Sequence, residues 1–350
     1  MMRLPAFRYR AARTIADAAG WLAENPADTM LIAGGTDVLP KMKRRQQTPT
    51  TLIGLRGIGE FRHVTAGNGV TIGAGVTLST LLARTDIRES YPGLWQAAAQ
   101  VATPQLRNMG TIGGNVCLDT RCTYYDQTYE WRKAIDFCLK RDGQRCWVAT
   151  SSPKCLAVSS TDTAPALQAL GAFVTLVSSA GQRMIPIGEL FANDGMQYLT
   201  RRPDEILTTI ALPPSRGWRS AYWKLRRRGT FDFPVAAAAV AIKLDGLDII
   251  DVRIVLGAVA SRPVDCERAA TVLKQGKRLT EEAIAEAAAA ASEVAKPMDN
   301  TDFELVWRKA MVRTLVSHAL HEVRGDDMRS SRRQLARQEL LAPVHFHGSL

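Results

Sequence analysis

The chain has 350 residues, 46% of them hydrophobic and 23% charged, and its 45 basic against 34 acidic side chains give a formal charge of +11. That length buries a sizeable core and divides into two or three domains, and no segment approaches the ~18 to 20 apolar residues a membrane span requires. The basic side chains are scattered and their denser patches (Lys41 to Arg45, Arg226 to Arg228, Arg329 to Arg337) lack interleaved aromatics, which argues against nucleic acid and for acidic partners.

In chain order, Thr14 to Asn25 carries helix-like apolar spacing (Ile15, Ala18, Ala19, Leu22), and Thr29 to Ile32 is a short apolar run entering Ala33-Gly34-Gly35-Thr36-Asp37. A helix, a strand and a glycine turn are expected there. Val70, Ile72, Ala74, Val76 and Leu78 alternate, predicting a half-buried strand with a helix starting near Thr80. Trp95 to Val101 reads as a helix that Pro104 should end. A second glycine turn, Thr111-Ile112-Gly113-Gly114-Asn115, precedes four cysteines, Cys122, Cys138, Cys146 and Cys155. Asp162 to Leu170 predicts a short helix, Phe173 to Val177 a strand and Gly181 a hairpin. Pro213-Pro214 with Ser215 and Gly217 is the best linker. Beyond it, Val235 to Ile242 and Ile249 to Val259 are strand-like, and Glu281 to Ala295 is an Ala-rich helix. Thr301 and Glu304 predict a capping box for a helix through about Val323, and Arg324 to Leu350 reads as a basic tail or partner-binding arm.

Two flexible residues directly after a strand let backbone N–H groups face an anion, and a flanking threonine adds a hydroxyl. Neither turn is a G-x-G-x-x-G fingerprint, and either alone would serve as an ordinary tight turn. Two of them about eighty residues apart point together to a shared pyrophosphate. The first residues lack an apolar run, so a cytoplasmic location is the default expectation, and in that reducing compartment clustered thiols serve metals or redox chemistry. The cysteines are separated by fifteen, seven and eight residues, unlike the paired C-x-x-C of zinc modules or the compact ferredoxin run. Spacing therefore leaves iron, zinc and unligated thiols open.

The two glycine turns, followed by Asp162-Thr163-Ala164-Pro165-Ala166-Leu167 and Lys224-Leu225-Arg226-Arg227-Arg228, resemble the FAD-binding medium subunits of the molybdenum hydroxylases, over about residues 1 to 322. Xanthine dehydrogenase and carbon monoxide dehydrogenase belong to that family. The resemblance implies an α+β fold: a vanillyl-alcohol-oxidase (PCMH)-type FAD domain of two subdomains over residues 1–215, a C-terminal CO-dehydrogenase-flavoprotein-like domain over 219–323, and a basic tail over 324–350. It implies that Ile32, Ala33, Gly34, Gly35, Thr36, Asp37, Thr111, Gly113, Gly114 and Asn115 hold the FAD pyrophosphate. Asp162 should hydrogen-bond the cofactor, and Lys224 should lie near the isoalloxazine ring, where a cation stabilises the anionic reduced flavin. The plainer alternatives are a helix cap for Asp162 and an exposed strand lysine for Lys224.

Most of that family passes between these motifs by a shorter route. The insert, about residues 117–157, resembles that of the β subunits of 4-hydroxybenzoyl-CoA reductases, above all in Gly113-Gly114-Asn115-Val116-Cys117-Leu118-Asp119-Thr120-Arg121-Cys122. On this resemblance Cys122, Cys138, Cys146 and Cys155 hold a 4Fe-4S cluster, with Cys117 a buried neighbour of the flavin turn and Cys266 an ordinary cysteine. Such clusters reach potentials as low as about −700 mV, which suits entry of electrons from reduced ferredoxin. The implied route runs from ferredoxin through cluster and FAD to the 2Fe-2S clusters of a small subunit and the molybdenum cofactor of a large one, in a dimer of heterotrimers. The implied reaction turns 4-hydroxybenzoyl-CoA into benzoyl-CoA and water during anaerobic aromatic degradation, and this chain would hold no catalytic residue of its own. Seven positions separate Asn115 from Cys122, so flavin turn and cluster are at most roughly 25 Å apart. Cys138 and Cys146 are expected nearer the surface, ringed by Arg132, Lys133, Lys140, Arg141 and Arg145 that could steer an acidic ferredoxin. Two other readings remain: the FAD subunit of an aerobic hydroxylase passing electrons to NAD or a quinone, and a zinc-containing nucleotide-binding protein.

Overall fold

The computed structural model describes residues 3–246 and 248–337. β1 (Arg8–Ala11), α1 (Ile15–Glu24), β2 (Thr29–Ile32), α2 (Val38–Lys43) and β3 (Thr51–Gly54) form a first subdomain around a parallel sheet ordered β1-β3-β2. α1 begins where its spacing predicts because Thr14 and Asp17 close a reciprocal capping box. Its Ala18, Ala19 and Leu22 pack with Ile53 and Phe61.

β4 (Val64–Gly67) and β5 (Gly69–Gly73) then lead into α3 (Leu78–Leu82), α4 (Thr85–Ser90), α5 (Pro92–Ala99), α6 (Pro104–Arg107) and α7 (Ile112–Val116). After the insert, whose one helix is α8 (Tyr129–Ala134), α9 (Thr163–Ala169) returns the chain to β6 (Phe173–Ser178), β7 (Gly181–Pro186) and β8 (Ile206–Leu212). These strands complete an antiparallel sheet ordered β4-β5-β8-β6-β7. Two expectations are corrected here. The alternating run from Val70 is a strand only to Gly73, because Gly73 and Gly75 press against the Phe61 backbone and the chain turns there, so that the helix starts at Leu78 under a Thr77 cap. Pro104 starts α6 instead of ending the preceding helix; in a first helical turn its missing N–H costs nothing, and Thr103 caps it.

The C-terminal domain is an antiparallel sheet of β9 (Trp218–Leu225), β10 (Ala236–Asp245), β11 (Asp248–Gly257) and β12 (Val264–Asp265), followed by α10 (Glu267–Gly276), α11 (Glu281–Val294), α12 (Leu305–Arg324) and α13 (Arg329–Arg337). Both faces of the sheet are buried, and the period of two along each strand divides the labour. Ala237, Ala239, Ala241 and Tyr222 join the core built by α5 and α9, while Ala236, Ala238, Val240 and Trp223 join that of α11 and α12. The sheet thereby fixes the C-terminal domain to the wall of the N-terminal domain. Thr301 and Glu304 do not form the expected capping box: Glu304 occupies the N-cap position without a side-chain bond. The segment before it is turned toward the insert, where Asn300 Nδ2 donates to Leu156 O (2.6 Å) and Asn300 O accepts from Thr123 N–H (3.0 Å). The start of the basic tail forms α13, whose Arg332 donates to Glu322 (2.6 Å) over the Trp223 ring; residues 338–350 lie outside the described residues.

The insert has little regular structure, so side chains anchor it. Arg132 is 1% exposed and donates to the carbonyls of Arg44 and Arg45 (3.0 Å each) just past α2, and Gln46 Nε2 donates to Tyr125 O (2.6 Å). No described helix is long and apolar enough to cross a membrane.

Arg308 holds the C-terminal domain together by donating to the carbonyls of Val235 (3.0 Å), Met298 (2.7 Å) and Ala258 (2.9 Å) from a fully buried position. Arg308→Met is expected to destabilise the domain by roughly 3 kcal/mol or more, because each buried carbonyl left unpaired costs ~1–3 kcal/mol. Urea unfolding checks this, and a loss under about 1 kcal/mol would mean that the carbonyls find other partners.

Candidate cofactor cavity and four-cysteine site

A cavity of about 530 Å³ opens where the β2–α2 turn, the turn entering α7 and the Arg228 to Phe233 loop of the C-terminal domain meet. Glycine is required in its wall. A Cβ on Gly34 would collide with the Met109 carbonyl and one on Gly113 with Ala74, while Gly35 has a φ of +73°. Ala33, Gly34, Gly35, Thr36 and Asp37 of the first turn line this one cavity together with Thr111, Gly113, Gly114 and Asn115 of the second, and with Asp162. Ile32 and Lys224 stand outside its lining. Thr111 Oγ1 accepts from Gly114 N–H (3.1 Å) and so fixes the second turn. Asn115 Oδ1 accepts from Thr163 N–H (3.1 Å), Thr163 Oγ1 (2.7 Å) and Thr161 Oγ1 (3.0 Å), tying that turn to the segment that carries Asp162.

The Asp162 carboxylate does not cap α9. It accepts from Tyr222 OH (2.7 Å) and Lys224 Nζ (3.0 Å), and Lys224 also donates to Gln100 O (3.0 Å). Lys224 is therefore a buried support behind Asp162, neither an exposed strand lysine nor part of the cavity wall. Burial pushes the Asp162 pKa up and that of Lys224 down, each resisted by the partner's charge. Arg121 crosses the mouth: it donates to Asp37 (2.7 Å) and stacks 3.5 Å from the centre of the Phe233 ring. Three buried cavity-lining atoms, Ser160 Oγ, Gln47 Oε1 and Arg121 Nε, have no hydrogen-bond partner among the described residues. Buried polar atoms are seldom left so, and with the Cβ-free turns they fit a polar, anionic cofactor such as FAD.

Cys122, Cys138, Cys146 and Cys155 come from four separated points of the insert and line a single small cavity with Tyr124, Tyr125, Lys140 and Trp147. All four are 4–7% exposed, so the expectation that Cys138 and Cys146 lie nearer the surface is corrected. The steering ring is corrected as well. Arg132 and the Lys140 side chain (5% exposed) are buried, leaving Lys133, Arg141 and Arg145 at the surface. Burial, with some repulsion among the sulfurs, pushes the Cys122 thiol up to about 12 and Cys155 to about 11. Such thiols are inert alone, whereas a bound metal deprotonates them outright. Ala157 N–H already points at Cys155 Sγ (3.4 Å). A tetrahedral zinc with ~2.3 Å bonds draws its sulfurs to about 3.8 Å apart. Among the described residues no three of these sulfurs lie mutually within 4.8 Å, and the four together offer a sulfur-rich donor set for a metal centre. Cys117 lines the larger cavity instead, its carbonyl accepting from Tyr198 OH (3.3 Å), and Cys266 packs in the C-terminal core.

The two cavities share a wall. Asp119 lines the larger one and accepts from Lys140 Nζ (2.7 Å) and Lys41 Nζ, with Lys41 1% exposed. Tyr125 on one side and Tyr198 on the other complete it. Sequence reasoning missed Ser160, Gln47, Asp119 and Tyr198, and it placed Lys41 in a solvated basic patch. Gly195 was missed too: a Cβ there would stand 2.8 Å from Cys155 Sγ. Nothing in a run of Asn193-Asp194-Gly195 distinguishes it from an ordinary turn.

Residues 5–215 match the family described as the FAD binding domain in molybdopterin dehydrogenase, and residues 220–323 match the CO dehydrogenase flavoprotein C-terminal domain. The aldehyde oxidoreductase FAD-binding subunit PaoB of Escherichia coli strain K12 is 33% identical over 283 residues, 78% of this chain and 87% of that protein. The carbon monoxide dehydrogenase medium chain of Afipia carboxidovorans is 28% identical over 321 residues, 91% of this chain and 97% of that one. Among solved structures, a chain of carbon monoxide dehydrogenase from Hydrogenophaga pseudoflava superposes with a TM-score of 0.76 at 28% identity, covering 91% of this chain and 98% of that chain.

Gly34→Ala forces a Cβ into the Met109 carbonyl, and bound FAD per chain is expected to fall at least tenfold, about 1.4 kcal/mol. Flavin absorbance after gel filtration measures it, and full occupancy would show that the first turn does not shape the site. Burial opposes the Asp119 charge, but Lys140 and Lys41 outweigh it and hold its pKa below the usual carboxylate range. A folded-state pKa that is depressed gives stability that is complete above the unfolded value, ~4, and fades as pH falls through the folded one. The melting-temperature gap between wild type and Asp119→Asn should thus be wide at neutral pH and close in acid; a gap that widens in acid contradicts the ion pairs.

Proposed function

This chain belongs to the FAD-binding medium subunits of the molybdenum hydroxylase family, and from that premise we propose that it is the flavin and iron–sulfur electron-transfer subunit of a 4-hydroxybenzoyl-CoA reductase. The observation that carries the proposal is the four-cysteine cavity set against the flavin cavity across one wall. In the complex it works beside a small 2Fe-2S subunit and a large molybdenum subunit, in a dimer of heterotrimers, with reduced ferredoxin as donor in the cytoplasm. The overall reaction adds two electrons and two protons to 4-hydroxybenzoyl-CoA and releases benzoyl-CoA and water.

FAD supplies the exchange between one- and two-electron steps, and a 4Fe-4S cluster supplies one-electron transfer at low potential. The chain's own residues do the binding and shielding. Ala33 to Asp37 and Thr111 to Asn115 offer N–H groups and hydroxyls to the pyrophosphate, while Ser160 and Gln47 offer their unpaired atoms. Asp162, held by Tyr222 and by Lys224 from behind, presents a fixed carboxylate, and Ile32 packs against Gly35 from outside the lining. Cys122, Cys138, Cys146 and Cys155 are the cluster ligands; burial excludes water and oxygen from them. On the outer face of the insert Lys133, Arg141 and Arg145 stand among the exposed Glu130, Asp136 and Asp142 and the exposed rings of Tyr129 and Trp131, and the basic groups of this mixed face would meet an acidic ferredoxin.

The test is the anaerobically purified complex. About four iron and four sulfide beyond those of the small subunit, and ferredoxin-driven formation of benzoyl-CoA from 4-hydroxybenzoyl-CoA, are expected. A complex that lacks the extra iron and passes electrons from substrate to NAD or a quinone would instead be an aerobic hydroxylase, and stoichiometric zinc would make the insert a structural module.

A further inference from the structure

Lys140 follows the ligand Cys138 by two residues, yet its side chain is 5% exposed and its nitrogen is fully engaged. It donates to Asp119 Oδ1 (2.7 Å), Thr120 Oγ1 (2.6 Å) and Gly195 O (2.5 Å). Three acceptors match the three donors of a charged ammonium, whereas a neutral amine has only two N–H groups to give. The same side chain lines the four-cysteine cavity. It lies 5.0 Å from the centre of the Tyr125 ring and 5.4 Å from that of Tyr198. Its acceptor Gly195 is itself set against a ligand, since Gly195 N–H donates to Cys155 O (2.8 Å). Beyond Asp119 stands Lys41, the second buried ammonium on the same carboxylate.

The one carboxylate in salt-bridge contact with Lys140 is shared with Lys41, whose charge Asp37 also answers, so on the Asp119 side the Lys140 charge is only partly balanced. Burying such a charge is expensive unless an anion lies beside it, and a neutral side chain would fill the space at lower cost. Four thiolates around a cluster are such an anion, and their negative charge grows by one on reduction. We propose that Lys140 is a fixed counter-cation of the four-cysteine centre that raises its reduction potential. The proposal rests on the iron–sulfur reading given above. Net charge and polar contacts at the sulfurs set the potential of such a centre, and this cation cannot relax away from it because all three of its donors are committed.

The experiment is a redox titration of the anaerobic complex carrying wild-type chain, Lys140→Met, Lys140→Gln or Lys140→Arg, with iron and sulfide measured on each. The expected result is that the Met and Gln variants keep their iron and their centre becomes at least tenfold harder to reduce, about 59 mV for one electron, while the Arg variant stays at the wild-type potential. If Met and Gln lose the iron that Arg retains, the potential is read on the Lys140→Gln chain reconstituted anaerobically with iron and sulfide, where a value unchanged from wild type overturns the proposal. Iron retained in Met and Gln at an unchanged potential overturns it. So does loss of iron in all three variants, which would mean that shape rather than charge matters. Wild-type complex without the extra iron and sulfide removes the underlying reading itself, and that failure is read before any variant is titrated.

Discussion

The carboxylate of Asp119, gripped by two buried ammonium groups, is the constraint on which both cavities depend. Each of its partners arrives from a different part of the chain. Lys41 sits on α2, directly after the first glycine turn; Asp119 follows α7, which begins in the second; Lys140 comes from the insert. One cluster of charge thereby sets the distance between the two halves of the dinucleotide site and joins the cysteine module to both. A buried ion pair is poor evidence of stability in itself, because desolvation consumes most of its attraction. Its value here is registry, since the pairing is satisfied only when three segments far apart in sequence adopt one arrangement.

The C-terminal domain completes the larger cavity from the opposite side by similar means. Tyr222 and Lys224 reach from β9 to hold Asp162, and Arg121 of the insert root is stacked under Phe233 of the loop that follows β9. The alanine-rich β10 makes this approach possible, because small side chains on both of its faces let helices of two domains lie close to one sheet. Domain packing and cofactor geometry are therefore coupled: what seats the sheet on α5 and α9 also aims Asp162.

Much of this was legible in the residues. Both glycine turns line one cavity, where close approaches of backbone at Gly34 and Gly113 leave no room for a Cβ. The four cysteines were legible as a group, although their irregular spacing hid how they meet: no helix or strand carries them, and long-range anchors such as Arg132 and Asn300 fold the insert around them. Failures came where tertiary contact overrides local pattern. Lys41 and Lys140 read as solvated because lysine usually is, and only their shared carboxylate shows otherwise. Pro104 read as a stop because its position in the first turn of α6 depends on Thr103 acting as a cap. Thr301 and Glu304 read as a capping box, but the bonds from Asn300 to the insert take that segment elsewhere.

The family, its fold and its FAD-binding domain account for most of the chain, and the proposed role rests on the insert. Four buried thiols line one small cavity beside a buried lysine and next to the flavin cavity, and on the reading proposed above they hold an iron–sulfur centre. The most direct measurement is an anomalous difference map, collected on both sides of the iron absorption edge, from crystals of the complex grown without oxygen. The account predicts iron density enclosed by Cys122, Cys138, Cys146 and Cys155, with flavin density along Gly34 and Gly113 across the Asp119 wall. Zinc density among those sulfurs, or none at all, would contradict it.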